Sequence, residues 1–196
     1  MRIRRRGGGL SFGKRRRRLN IPLLKEIGLY AIQVIIAVAL AFLFVYYFGM
    51  RTRIIGNSMQ PLFEDGEQIL TDKFIYIFGD PKPNDVIVFL PNGNSKSHYY
   101  IKRVVGTPGD KVKIKDGILY VNGERFEEKV DVSSMEYAGL AENEIELEKD
   151  EFFVLGDNRN SSEDSRYANI GIVKKEYIVG KCWFRILPLK KLKFIR

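Results

Sequence analysis

The hydrophobic pattern divides the chain in two. From Ile27 to Met50 no side chain is charged, and Gln33 is the clearest polar residue. About 20 apolar residues suffice for a helix to cross the hydrocarbon core of a bilayer. Tyr30 near one end and Tyr46-Tyr47 near the other suit the interfacial belts where aromatic rings settle. The run is longer than the apolar core of a cleaved leader, and no small-x-small site follows it. The pattern therefore predicts a retained transmembrane anchor over 27–50.

Beyond Arg53 the pattern changes to short β-branched, aromatic or alternating runs: Ile69 to Thr71, Asp85 to Leu90, Tyr100 to Val105, Val112 to Ile114, Ile118 to Val121 and Phe152 to Leu155. Turn signals separate them, among them Asp65-Gly66, Pro108-Gly109-Asp110 and Asn122-Gly123. Asp116-Gly117 between two such runs predicts a hairpin. No long amphipathic helix and no internal repeat stand out. The expectation is an all-β, or at least β-rich, domain over 51–196. The acidic, weakly patterned stretch 126–150 reads as a surface excursion or as part of a small inserted subdomain around 111–150.

Charge sharpens this division. Residues 1–26 hold ten Lys/Arg against one Glu, a net of +9 that equals the formal charge of the whole chain. The other 23 Lys/Arg and 23 Asp/Glu cancel. A nucleic-acid-binding domain needs its basic patch on the folded part, so that class is disfavoured. A basic segment before an apolar span instead reads as a topology signal: residues 1–26 form a disordered cytoplasmic tail and 51–196 lie outside. The tail could also meet anionic lipid headgroups. One cysteine, Cys182, rules out an intrachain disulfide, and one histidine, His98, leaves no cluster with metal-ligand spacing. No metal and no cofactor are expected.

The candidate chemistry begins with Ser58, in Gly56-Asn57-Ser58-Met59-Gln60-Pro61, and Lys102, inside an apolar strand-like run. A serine hydroxyl needs a base to become a nucleophile. A lysine is a base only when neutral, and apolar surroundings favour the neutral amine. Lys102 and Arg103 should also point to opposite faces of a strand. Taken alone, Ser58 could be a turn residue and Lys102 an exposed strand lysine. His98 reads as an exposed loop residue, Cys182 beside Trp183 and Phe184 as core, and Lys190 to Arg196 as a solvated tail or a lipid contact.

Four blocks follow the anchor in order: Gly56 to Pro61; Asn84 to Phe89; Tyr100 to Asp110; and Gly156-Asp157-Asn158-Arg159 through Ser162, Asp164, Ser165 and Arg166. Together they resemble the boxes of bacterial type I signal peptidases, of the Gram-positive type, over nearly all of residues 27–187. The resemblance implies a single-pass protease of the bacterial cell membrane whose β-rich catalytic fold is shared with self-cleaving repressors such as LexA. Its partners would be the lipid bilayer and secretory preproteins, cleaved after an Ala-x-Ala site through an acyl-enzyme. Ser58 matches the nucleophile and Lys102 the general base. Ser162 matches the hydroxyl that orients the lysine. Asp157, Asp164 and Arg166 match bracing residues, with Arg103 as an ion partner. Ile54, Met59, Phe63, Tyr100 and Ile101 match positions lining shallow pockets.

Two positions depart from the pattern. Gly56 stands where Gram-negative members often carry an oxyanion-assisting serine. Asn160 stands where many members have an aspartate, which puts an ion pair there in doubt. Two other readings compete. One is a soluble self-cleaving repressor, against which the apolar span and the lack of a helix-turn-helix segment argue. The other is an anchored β-domain that only binds peptides, for which Ser58 would be dispensable.

Overall fold

The computed structural model describes residues 21–195. The basic segment 1–20 lies outside them. The first element, α1 (Ile21–Phe48), is a helix of 28 residues, about 42 Å at ~1.5 Å per residue. Its stretch Pro22–Tyr46 is apolar enough to cross a membrane, with a mean hydropathy of 2.5. Those side chains are exposed on every face of the helix, including Leu29, Val34, Ile35 and Phe42.

Twelve strands follow among the described residues: β1 (Met50–Arg53), β2 (Gln68–Asp72), β3 (Val86–Phe89), β4 (Tyr100–Gly106), β5 (Lys111–Lys115), β6 (Ile118–Val121), β7 (Glu124–Arg125), β8 (Ile145–Glu146), β9 (Glu151–Leu155), β10 (Val173–Lys174), β11 (Ile178–Leu187) and β12 (Lys193–Phe194). The larger sheet has the order β1-β2-β11-β3-β4-β9-β10, with β12 on β11, and its strands pair antiparallel. The smaller sheet, β7-β6-β5-β8, lies between Lys111 and Glu146. The domain is thus β-rich, as the alternation predicts.

Burial explains how these strands read in sequence. All four residues of β3 are buried. Val86 and Val88 enter one core with Ile54, Met59, Phe63 and Cys182, while Ile87 and Phe89 enter another with Val104, Phe152 and Val154. A strand covered on both faces is a continuous apolar run. In β5 the pattern instead alternates, with Val112 and Ile114 inside and Lys111, Lys113 and Lys115 outside. The Asp116-Gly117 turn supplies two positive φ angles, 52° and 74°, as a tight hairpin of this kind requires.

β11 is the longest of the described strands, and the hydrophobic pattern does not mark it. It pairs with β2, β3 and β12, and its register shifts near Gly180, between Cys182 and Phe184, and between Arg185 and Leu187. Each irregularity resets the inside–outside phase, so the strand has no clean period of two. The C-terminal segment is also not a loose tail. Lys193–Phe194 pairs with β11, Ile195 is buried, and Lys191 bonds Glu64 at 2.6 Å.

Candidate active site

The segment that carries Ser58 follows β1 directly. Gly56 has φ +81° and donates its N–H to Asp65 Oδ1 at 2.8 Å, which turns the chain before Ser58. The Gln60 and Phe63 N–H groups donate to Asn57 O and Met59 O, closing a short turn around Met59. A second segment grips this one. The Asn158 N–H donates to Ser58 O at 3.1 Å, and Asn158 Nδ2 to Asn57 O at 3.3 Å. The approach is tight at Gly156, where a Cβ would stand 2.2 Å from Ser162 Oγ and 2.5 Å from Ser58 O. Only glycine fits there.

Lys102 comes from β4, between β3 and β9. It is 3 % exposed, and its Nζ lies 2.8 Å from Ser58 Oγ. With the amine charged, Nζ donates to Oγ; with it neutral, the Ser58 O–H donates to the nitrogen lone pair. Burial is the dominant influence on this amine and pushes its pKa down to about 8. Asp164, Glu163 and Asp157 pull the other way, and Arg166 assists the lowering. The Tyr100 ring centroid lies 5.5 Å from Nζ.

Arg103, the next residue along β4, reaches a different partner. Its Nε and Nη2 donate to the two Asp157 oxygens at 2.7 Å each, and Nη1 donates to Asn84 O at 2.9 Å. Arg166 grips Asp164 in the same two-pronged way, at 2.8 and 2.9 Å. Asp164 Oδ2 also accepts the Gly156 N–H. Both pairs are almost fully buried. Charges removed from water are tolerable only when paired and hydrogen-bonded in this way.

Ser162 is buried, but its Oγ has no hydrogen-bond partner among the described residues. Asn160 makes no ion pair. Its Oδ1 accepts the Glu136 N–H at 3.1 Å and its Nδ2 donates to Ser134 O at 3.0 Å. Arg166 Nη1 donates to Tyr137 O, and Arg159, itself buried, pairs with Glu128 at 2.7 Å. The stretch 128–140, which has little hydrophobic pattern, is therefore tied to the 156–166 loop. Short polar contacts of this kind leave no periodic signal in the sequence.

An open cleft of about 490 Å³ runs past Ser58 and Lys102. Ile54, Met59, Tyr100 and Ile101 line it, together with Ile55, Ser97, His98, Tyr99, Ser161 and Glu163. Phe63 does not. It is fully buried in the core with Met59 and Ile69, its ring 5.3 Å beneath the Arg185 guanidinium. It packs in one cluster with Ile54, Met59 and Ile101, which do line the cleft. His98 is exposed yet sits on the cleft wall, which its polar surroundings in sequence did not suggest. Cys182 is buried in the core, where burial pushes its thiol pKa up, so it is no nucleophile. Among the described residues no group of three or more His, Cys, Asp or Glu could hold a metal. A larger, charged depression of about 620 Å³, lined by Lys73, Tyr76 and Asp150 among others, contains none of the predicted site residues.

Residues 27–187 match the family described as signal peptidase, peptidase S26. The chain is similar to signal peptidase I P of Bacillus subtilis subsp. natto, 34% identical over 167 residues that cover 82% of this chain and 89% of that relative. It is similar to signal peptidase IB of Staphylococcus aureus, 34% identical over 181 residues covering 82% and 91%. Signal peptidase I of Bacillus caldolyticus is 39% identical over 150 residues, covering 71% and 80%. Among solved structures, a signal peptidase I from Enterococcus faecalis aligns with TM-score 0.41 and 29% identity, covering 53% of this chain and 97% of that one.

Proposed function

This chain belongs to the signal peptidase family, peptidase S26, whose members are serine proteases that remove signal peptides from preproteins, and within that activity we propose that Ser58 and Lys102 form the catalytic dyad. The observation that carries the proposal is the 2.8 Å approach of Lys102 Nζ to Ser58 Oγ at a site where burial brings the amine's pKa down to about 8, within reach of the neutral form. Ser58 Oγ attacks the scissile carbonyl as its proton passes to Lys102 Nζ. The tetrahedral oxyanion accepts the Ser58 backbone N–H, and Gly56 offers no side-chain donor to assist. Lys102 then returns the proton to the departing amine of the mature chain. Water, deprotonated by the same amine, releases the acyl group from Ser58.

The remaining site residues support these steps. A buried hydroxyl without a partner costs about 1–3 kcal/mol. Ser162 Oγ is therefore a ready acceptor for a second N–H of the transient lysinium, which would fix its direction. The Arg103–Asp157 and Arg166–Asp164 pairs hold β4 and the 156–166 loop in register with Ser58. Ile54, Met59, Tyr100 and Ile101 give shallow apolar subsites that admit Ala at −1 and −3 and exclude larger side chains by overlap. The substrate would lie extended along the cleft, adding its backbone hydrogen bonds to an open edge.

Domain roles and topology belong to the same proposal. α1 is the membrane anchor, the basic N-terminal segment stays cytoplasmic, and residues 51–196 act outside. Only nine residues separate the end of α1 from Ser58, so enzyme and membrane-tethered substrate would meet at high effective concentration.

Cleavage by the detergent-solubilised full chain of a preprotein bearing Ala-x-Ala tests the reading. Wild type is expected to cut after the last Ala, with Ser58→Ala cutting at least ~10³-fold more slowly. Comparable rates in the two proteins would remove Ser58 as the nucleophile.

A further inference from the structure

Ser162, Glu163 and Asp164 are buried, exposed and buried in turn. Ser162 has extended backbone, with φ −132° and ψ 128°. Successive side chains of an extended segment point opposite ways. Ser162 and Asp164 face the interior, beside Gly156 and Arg166, and Glu163 faces the cleft that holds Ser58 and Lys102. It is the one carboxylate among the residues lining that cleft. It enters none of the ion pairs among the described residues. Asp157 and Asp164, the other acids near Lys102, are each neutralised by a buried arginine. Glu163 is thus an unneutralised negative charge on the wall of the catalytic cleft.

We propose that Glu163 determines specificity by charge: it favours a basic residue and rejects an acidic one immediately after the scissile bond. The inference rests on the Ser58–Lys102 reading above. In that reading the apolar side chains Ile54, Met59, Tyr100 and Ile101 take the residues before the bond. The lining supplied by the 156–166 loop, Ser161 and Glu163, is left for the residues after it, and Asn57, Ser97 and His98 are the other polar side chains beside the dyad. A like charge brought to an interface is penalised and an opposite charge is drawn in, so charged substrate residues there are sorted by sign. A neutral side chain at +1 and +2 would be treated indifferently.

The test is a series of Ala-x-Ala preproteins carrying Lys, Gln or Glu at +1 and, separately, at +2. Each is cleaved by the solubilised full chain as wild type, Glu163→Gln and Glu163→Lys. The quantity read is the kcat/KM ratio of the Lys substrate to the Glu substrate within each enzyme. Wild type should prefer Lys by about tenfold at one of the two positions. Glu163→Gln should bring that ratio near one, and Glu163→Lys should invert it. The wild-type preference should also shrink toward 1 M salt, because an exposed charge is screened. A purely structural role would leave the ratio and its salt dependence untouched. Lys102 is faced by Glu163, Asp164, Asp157 and Arg166, with burial dominating, so Glu163→Gln should also move the half-point of the pH profile downward. A wild-type ratio near one at both positions, or an equal ratio in Glu163→Gln, overturns the proposal. Failure of wild type to cut any member of the series overturns both this proposal and the dyad on which it rests.

Discussion

Replacing Lys102 with methionine is expected to abolish cleavage and to stabilise the protein at the same time. Loss of a general base costs about 10²–10⁴-fold, and more where nucleophile and base act as a unit. The stability gain follows from the depressed pKa. The unfolded chain holds this lysine at its ordinary value of 10.5, while the folded protein holds it at about 8. Between those values the unfolded state binds more protons, so stability rises with pH across that window. Below about pH 8 the amine is charged in both states and the folded protein bears the whole cost of burying it. That cost is about 3 kcal/mol from the shift. Losing the Ser58 hydrogen bond takes back about 1 kcal/mol. Lys102→Met should therefore be more stable by on the order of 2 kcal/mol at pH 7, with the gain fading toward pH 10.5. Denaturant unfolding of both proteins at pH 7 and pH 10 reads this directly. A destabilised Met variant would mean that the lysine does not stand in a dry site.

Asp157→Ala is expected to have the largest effect on folding. The change leaves the Arg103 guanidinium, 1 % exposed, with Asn84 O as its remaining hydrogen-bond partner. Breaking a buried ion pair from one side costs about 3–5 kcal/mol. Arg103 precedes no flexible segment that could carry it to water. It lies in β4 between Val86 of β3 and Leu155 of β9. Lys102 is its neighbour on the same strand, so activity should fall together with stability. An unfolding free energy within 1 kcal/mol of wild type would show that Arg103 is held by something other than Asp157.

The strands that are legible in the sequence are those with an unbroken pattern. β3 is apolar throughout because both faces are covered, and β5 alternates because one face meets water. β11 escaped because its irregular register breaks the alternation. The C-terminal strand escaped because Lys190-Lys191-Leu192-Lys193 reads as solvated, although Lys191 is held by Glu64 and Glu67. At the site, residue types and block order place Ser58 and Lys102 together, and the structure brings them to 2.8 Å. Phe63 is apolar and adjacent to the Ser58 turn, but nothing in its sequence context distinguishes a cleft wall from the layer behind it. The Glu128–Arg159 and Asn160–Ser134 contacts join segments with no periodicity, so only the fold reveals them. Glu163 shares its run with four buried polar neighbours, Ser162, Asp164, Ser165 and Arg166, and its exposure is what sets it apart from them.

The central claim is that a neutral lysine serves as the base for Ser58. The pH dependence of kcat/KM for wild type on an Ala-x-Ala preprotein tests it most directly, because this quantity follows the free enzyme. The Lys102 amine is charged and inactive below its pKa. The profile should therefore rise about tenfold per pH unit through the neutral range and bend to a plateau at about pH 8. A profile already flat at pH 6, or one that falls as pH rises through 8, would contradict a lysine base.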